Sequence, residues 1–259
     1  MAARVAGLYT TPVKSLRIQS VQQARIGKPG IVGDRTFLIV DDRGGLVTIR
    51  EHFPLVQLAA SYDDGRDHLA LTMADGGCIE GSVELGDQLV VRMFGARDVP
   101  CRDVVGPWAA ALTAFAGRPL RLAKTPPGQG FDGFPVSVCS MESVQRLAEV
   151  AGVAQVDERR FRQNIMIDGV EPHEEDSWIG RAIQAGGVIL RMKMRDERCV
   201  VTTRNPETGD HDLDTLKVIA RYRTDQPKEA NFGVYATVAR EGVVSVGDRV
   251  ELVAAGSAK

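Results

Sequence analysis

Short stretches of apolar and β-branched residues, many with alternating polarity, dominate the first hundred positions of the chain. Alternation of this kind is the pattern of a half-buried β-strand. Clusters of Gly, Asp and Pro separate the stretches and indicate turns. The predicted strands cover residues 4–9, 36–40, 55–61, 69–73 and 88–94. Many short strands joined by such turns are typical of a barrel or a sandwich.

Two helices are predicted near the middle of the chain. The first starts at Pro107, whose missing N–H is tolerated in a first helical turn, and ends at Gly117. Its apolar face is formed by Trp108, Leu112 and Phe115. The second starts near Ser140, which is a suitable N-cap, and ends at Gly152. Its apolar face is formed by Val144, Leu147, Ala148 and Ala151.

Strand-like patterns return after the second helix, at residues 164–167, 188–192, 200–203 and 235–238, and continue towards the C-terminus. The predicted fold class is therefore mostly β with a few helices (α+β). The loop at 124–130 is rich in Pro and Gly and is the best candidate for a boundary. We predict two domains, over residues 1–122 and 123–259.

Composition narrows the class of protein. The chain has 259 residues with 32 basic and 34 acidic side chains, and this near-neutral balance argues against a nucleic-acid-binding protein. It leaves room for a local basic cavity that takes one anion. No apolar run is long enough for a membrane span or a signal peptide, so we expect a cytoplasmic protein that does not interact with membranes.

Common catalytic and metal-binding motifs are missing from the sequence. The four cysteines form no C-x-x-C pair, which argues against a zinc ribbon, a thiol redox motif and an iron–sulfur cluster. The four histidines show no H-x-x-x-H spacing. Neither a dinucleotide-binding glycine motif, a P-loop nor a G-x-S-x-G elbow is present. The sequence therefore does not support a hydrolase or a zinc enzyme.

One cysteine has chemically suggestive neighbours. Cys199 follows Arg198 directly and precedes a short β-branched run and a polar loop. A neighbouring cation favours the thiolate, and a thiolate is a soft ligand that suits a metal already held by sulfur. The alternative is a cysteine that packs in the core at a strand end, and these residues alone favour that interpretation.

A wider set of motifs changes that balance. The segment around Cys199 resembles the cysteine signature of the MOSC family, which is named for the C-terminal domain of molybdenum cofactor sulfurase. Residues 160–165, 175–180, 232–235 and 246–248 are similar to further motifs of that family. Residues 11–15 and 33–37 resemble the Y-P-V-K-S and G-D-R-x-[FW] motifs of the β-barrel domain that precedes MOSC in one subfamily. The resemblance covers nearly the whole chain, and its two-domain form is that of the mitochondrial amidoxime-reducing component and its bacterial relatives.

The resemblance implies an N-terminal β-barrel-like domain followed by a MOSC β-barrel domain, with a molybdenum cofactor (Mo-molybdopterin) bound between segments of both. It implies that Cys199 is the metal ligand and the catalytic residue. The implied cofactor-binding residues are Lys14, Ser15, Arg35, Asp132, Ser140, Arg162, Asn164, Arg198 and Cys199. For Ser140, helix capping explains the residue equally well. Cys78, Cys101 and Cys139 match no ligand position and are interpreted as structural.

The implied activity is the reduction of N-hydroxylated or N-oxygenated substrates such as amidoximes, hydroxylamines and N-hydroxylated bases. A separate protein, such as a ferredoxin, a flavoprotein or a cytochrome, is expected to deliver the electrons. The alternative is a sulfur carrier with a persulfide on Cys199, or a protein that binds and delivers the cofactor. Two departures from the family pattern are Thr11, in place of a tyrosine, and Glu197, where a small residue is usual. We expect Glu197 to raise the pKa of the cysteine and to affect substrate access.

Overall fold

The structure is a computed structural model that describes residues 2–224 and 229–254. Strands make up most of its regular structure, so the predicted fold class, mostly β with a few helices, is confirmed. The first half contains β1 (Arg4–Thr10), β2 (Gln19–Val21), β3 (Gln23–Gly27), β4 (Gly30–Ile31), β5 (Phe37–Asp41), β6 (Leu46–Val47), β7 (Ala59–Asp63), β8 (His68–Thr72), β9 (Cys78–Ser82), β10 (Glu84–Met93), β11 (Arg97–Val105) and β12 (Leu120–Lys124). The second half contains β13 (Val136–Ser140), β14 (Ile165–Asp168), β15 (Ala182–Ala185), β16 (Val188–Glu197), β17 (Asn231–Arg240), β18 (Gly242–Ser245) and β19 (Val250–Leu252).

Three α-helices accompany these strands: α1 (Trp108–Ala116), α2 (Met141–Ala151) and α3 (Thr215–Tyr222). The first two confirm the sequence-based helices, including their ends, because Gly117 and Gly152 adopt left-handed φ angles of 68° and 71°. The third was not predicted. Short 3₁₀ helices cover Phe53–Gln57, Glu158–Phe161, Glu174–Trp178 and Val200–Thr203.

Two predicted strands are wrong in part for identifiable reasons. Residues 200–203 form a 3₁₀ turn, because the Thr202 and Thr203 hydroxyls donate back to the carbonyls of Cys199 and Val200 at 3.1 and 2.8 Å. The start of the predicted strand at 55–61 is also a 3₁₀ turn, with Pro54 in its first positions, and extended structure begins only at β7.

The strands form open sheets. The largest has eight strands in the order β19-β15-β16-β17-β13-β14-β1-β2, and a second has five in the order β10-β11-β12-β5-β6. Two sheets of three strands, β18-β3-β4 and β7-β8-β9, complete the fold. Among the described residues no sheet closes on itself by hydrogen bonding, so neither half is a closed barrel.

The two halves share sheets and a core. Strand β1 pairs with β14, placing Leu8 opposite Ile165, and β3 pairs with β18, placing Ala24 opposite Val244. These side chains belong to one buried apolar cluster, so packing fixes the two halves against each other. The boundary between residues 122 and 123 falls within β12 and stays a prediction. In the part of the chain described, no helix is both long and apolar enough to cross a bilayer.

Candidate functional site

A cavity of about 200 Å³ lies between the two halves and gathers most of the predicted site residues. Eight of the nine line it, and only Ser140 does not. From the first half come Lys14, Ser15 and Arg35, and from the rest of the chain Asp132, Arg162, Asn164, Arg198 and Cys199. The folded chain therefore brings together side chains that are up to 185 positions apart, counting from Lys14 to Cys199.

The cavity wall is unusually rich in strained backbone. Six described residues other than glycine have positive φ angles, and four of them line the cavity. They are Ser15 (78°), Arg35 (48°), Phe94 (49°) and Arg162 (52°). Left-handed backbone costs an L-residue about 1–2 kcal/mol, and such strain concentrates at functional sites. The strain thus points to the same region as the predicted residues.

Lys14 is held in the cavity wall by contacts with the first half and with the loop before β13. Its backbone N–H donates to the Phe37 carbonyl at 2.8 Å, and its Nζ donates to the Gly130 carbonyl at 3.0 Å and forms an ion pair with Asp132. Burial lowers the pKa of Lys14. Burial alone would raise the pKa of Asp132, but the neighbouring Lys14 leaves it below its ordinary value.

Arg35 and Asn164 form a clasp between the halves. The Arg35 guanidinium pairs with Asp34 and donates to the Arg162 carbonyl at 3.0 Å. The Asn164 amide nitrogen donates to Asp34 at 3.1 Å and to the Tyr9 carbonyl at 3.2 Å. Its oxygen accepts from the backbone and the hydroxyl of Ser137, both at 3.2 Å. Asn164 therefore uses its amide within the protein, which is a structural use of a residue predicted to bind the cofactor.

Arg162 is a partly buried cation that feels the carboxylates of Asp34 and Asp132 without pairing directly with either. Its Nη2 donates to the Leu16 carbonyl at 2.7 Å, and within residues 2–224 and 229–254 it forms no ion pair with a carboxylate. Burial, together with repulsion from Arg35, lowers the pKa of Arg162 to about 10. A partly buried cation that no carboxylate contacts directly favours the binding of an anion.

Cys199 lines the same cavity, two positions after the end of β16. Its side chain is partly exposed, and its backbone is extended (φ −115°, ψ 178°) ahead of the turn at Val200–Thr203. The adjacent Arg198 guanidinium pairs with Asp196 and donates to the Phe161 carbonyl. The Nε of Arg198 is buried without a hydrogen-bond partner among the described residues. An accessible thiol and an unused donor thus lie side by side.

Comparison with known proteins matches both halves. The model of the MOSC N-terminal beta barrel domain covers residues 2–112, and that of the MOSC domain covers residues 126–251. Mitochondrial amidoxime-reducing component 1 of Danio rerio is 31% identical over 284 residues, spanning 95% of this chain and 83% of that protein. The chain belongs to this MOSC-domain family. Mitochondrial amidoxime reducing component 2 of Bos taurus is 28% identical, over 95% of this chain and 82% of that protein.

Among solved structures, the YuaD protein of Bacillus subtilis aligns with 97% of this MOSC protein and 96% of its own chain, at 17% identity and a TM-score of 0.46.

Several cavity residues of this MOSC protein were not predicted from the sequence. Asp196 is 3% exposed and accepts hydrogen bonds from Gln163 Nε2 at 3.0 Å and from the Tyr235 hydroxyl. Burial raises the pKa of Asp196, and burial also raises that of Tyr235. Both residues lie within segments that match family motifs, but only the fold shows that their side chains face the cavity. The other unpredicted lining residues are Thr48, Ile49, Arg50, Phe94, Phe131, Phe134, Ser137, Phe161 and Val201. Glu197, which the sequence analysis expected to affect substrate access, lines the cavity as well.

Ser140 lies outside the cavity and serves the start of α2 instead. Its hydroxyl accepts from the Ser143 N–H at 3.2 Å and donates to Glu175 at 3.0 Å. Glu175 is fully buried, and burial raises its pKa. Helix capping together with this carboxylate accounts for Ser140 without any ligand.

Proposed function

We propose that this protein binds a molybdenum cofactor, Mo-molybdopterin, between its two MOSC-family halves and reduces N-hydroxylated compounds with it. The observation that carries the proposal is the position of Cys199, a partly exposed residue that lines the same cavity as Arg162 and the cations of the first half. The names of the relatives, which describe reduction of amidoximes, support the same class of reaction.

The residues present fit such a group. A pyranopterin with a phosphate needs cations and hydrogen-bond donors, and the cavity offers Lys14, Arg35 and Arg162. Arg162 has no carboxylate partner in the described ranges, and the buried Nε of Arg198 is an unused donor. An anion would satisfy the first, and a polar edge of the ligand would satisfy the second.

In this proposal each side chain has a limited task. Lys14, Arg35 and Arg162 neutralise the phosphate, and the thiolate of Cys199 is the protein's ligand to the metal. When bound, the cofactor supplies two-electron transfer of an oxygen atom. Arg198 positions the segment that carries Cys199 through its contacts with Asp196 and Phe161. The Tyr235 hydroxyl donates to the Asp196 carboxylate and keeps its proton at the cavity wall.

The proposed reaction needs an electron donor and a substrate. The electrons come from a separate donor protein, which we expect to be a ferredoxin, a flavoprotein or a cytochrome. The substrate, which is reduced in the reaction, is a small N-hydroxylated molecule that enters through the cavity. The cytoplasmic location also stays a prediction.

Metal analysis of the purified protein and of two cysteine variants tests the proposal. In a host that makes the cofactor, we expect about one molybdenum per chain in the wild type and in Cys78→Ser, whose cysteine is exposed and outside the cavity. The Cys199→Ala variant should lose the metal and the reduction of benzamidoxime by a chemically reduced dye. Full molybdenum content with full activity in Cys199→Ala would refute the role of Cys199.

The same purified proteins distinguish the reductase from a sulfur carrier and from a cofactor-delivery protein. A sulfur carrier would hold an extra sulfur atom on Cys199, visible as a mass increase that a thiol reductant removes, and would show no turnover of benzamidoxime. A wild type that contains molybdenum but turns over no N-hydroxylated compound would indicate cofactor delivery.

A further inference from the structure

Glu197 differs from the other carboxylates of the cavity. Three acidic side chains line the wall, and two of them are neutralised, Asp132 by Lys14 and Asp196 by Arg198. Glu197 is exposed and forms no ion pair within the described part of the chain. It ends β16, opposite Asn231 of β17. The cavity therefore presents one unneutralised carboxylate, close in sequence to the thiol of Cys199.

The exposure of the lining residues gives the cavity a direction. Lys14 and Ser15 are 7% and 3% exposed, whereas Phe94 is 41% exposed. Glu197 and Arg50 are exposed as well. Lys14 thus lies deepest, Arg35 and Arg162 are partly buried, and Glu197, Arg50 and Phe94 form the exposed rim, which a substrate meets first.

Arg50, the cation at this rim, forms no ion pair with Glu197 among the described residues. Its guanidinium lies over the Phe94 ring, 4.4 Å from the ring centre, and it acts electrostatically on Asp132. With Phe131 and Phe134, these side chains give the cavity apolar surfaces for a flat substrate. Glu197 is left to interact with whatever enters.

A positive charge develops during the reduction of only some of the compounds that a reductase of this class could accept. Reduction of an amidoxime breaks the N–O bond, uses two electrons from the donor protein and three protons, and yields water and an amidinium cation. Reduction of a hydroxamic acid uses two electrons and two protons, and yields water and a neutral amide. A nearby carboxylate stabilises a developing positive charge and does little for a product that stays neutral.

We infer that Glu197 is a specificity-determining residue that favours N-hydroxylated amidines and guanidines, whose products are cations, over N-hydroxylated amides. This inference rests on the proposed reductase function. It assigns Glu197 no part in holding the cofactor.

Kinetics of the Glu197→Gln variant test the inference with two substrates of similar shape. For benzamidoxime we expect kcat/KM to fall about fivefold, the effect of one solvent-exposed charge pair, and for benzhydroxamic acid to change less than twofold. The matched control is Glu84→Gln, an exposed carboxylate outside the cavity, which should leave both values unchanged. An equal change for both substrates, or none for either, would overturn the inference.

A binding measurement gives a readout without turnover. By titration calorimetry on cofactor-loaded protein, Glu197→Gln should weaken the binding of benzamidinium about fivefold and leave that of benzamide unchanged. Equal affinities of the variant and the wild type for benzamidinium would contradict the inference, even if benzamidoxime is reduced. A wild type that reduces neither substrate would overturn the proposed function and this inference with it.

Discussion

Replacing Arg162 with methionine should stabilise the cofactor-free protein, although most core substitutions destabilise. Methionine keeps the length of the apolar stem and removes the guanidinium. It has the same backbone penalty as arginine at the left-handed φ of 52°, so strain does not change. The predicted gain comes from removing a charge that the folded protein does not neutralise.

The magnitude follows from the electrostatics of the site. Burial and the neighbouring Arg35 lower the pKa of Arg162 to about 10, and a tenfold change in a proton equilibrium corresponds to about 1.4 kcal/mol. The charged form thus costs the folded state roughly 3 kcal/mol, which solvent in the cavity reduces to about 2 kcal/mol. The variant loses the hydrogen bond to the Leu16 carbonyl, worth about 1 kcal/mol. The net expectation is a stabilisation of about 1 kcal/mol.

Arg160, two positions earlier, provides the control. It is 8% exposed and is neutralised by Asp212, with two hydrogen bonds of 2.6 Å, and it also donates to the Arg204 carbonyl. Arg160→Met should therefore lower the free energy of unfolding by about 2 kcal/mol, because Asp212 loses its partner.

Urea unfolding of the two variants measures both effects in cofactor-free protein. Molybdenum content of the loaded proteins then tests the functional side, and Arg162→Met should lose most of the metal. If Arg162→Met destabilises the cofactor-free protein as much as Arg160→Met does, Arg162 is a structural cation and the reasoning about the anion site is wrong.

Two further predictions concern the scaffold. Glu175 has a raised pKa, so its contribution to stability is complete below the ordinary carboxyl pKa and is lost as pH rises through its folded-state pKa. Urea unfolding from acid to neutral pH should therefore show a shallower loss of stability in Glu175→Gln than in the wild type, whereas the exposed control Glu149→Gln should follow the wild type. Asn164→Ala should lower the free energy of unfolding by about 3 kcal/mol, because four hydrogen bonds of a buried amide are lost. In the exposed control Gln184→Ala, a similar decrease in the free energy of unfolding would contradict the role of Asn164 in joining the two halves.

Motifs in the sequence were sufficient to identify part of the cavity wall, because Lys14, Arg35 and Cys199 belong to local patterns that the family shares. Their charge balance could not be predicted in the same way. Whether a cation is neutralised depends on carboxylates brought close by the fold, such as Asp132 for Lys14 and Asp212 for Arg160. The sequence shows all of these charges and not their pairing.

The errors in secondary structure have the same origin. Threonines at 202 and 203 favour a strand by intrinsic preference, but their hydroxyls close a turn after Cys199 once the neighbouring carbonyls are in reach. Helix α3 has eight residues and buries only part of one face, through Val218 and Ile219, so its periodic signal is short. The pairing of β1 with β14 joins segments more than 150 positions apart and depends on tertiary packing.

The two unpaired charges of the cavity differ in exposure. Arg162 is partly buried near Leu16 and Arg35, so under the proposed function the phosphate of the cofactor would lie on the side of the first half. Glu197 is exposed and belongs to the segment that carries Cys199, where the reacting end of a substrate would lie. Because neither charge is in an ion pair among the described residues, the same cavity would bind an anionic cofactor and still favour a reaction that creates a cation.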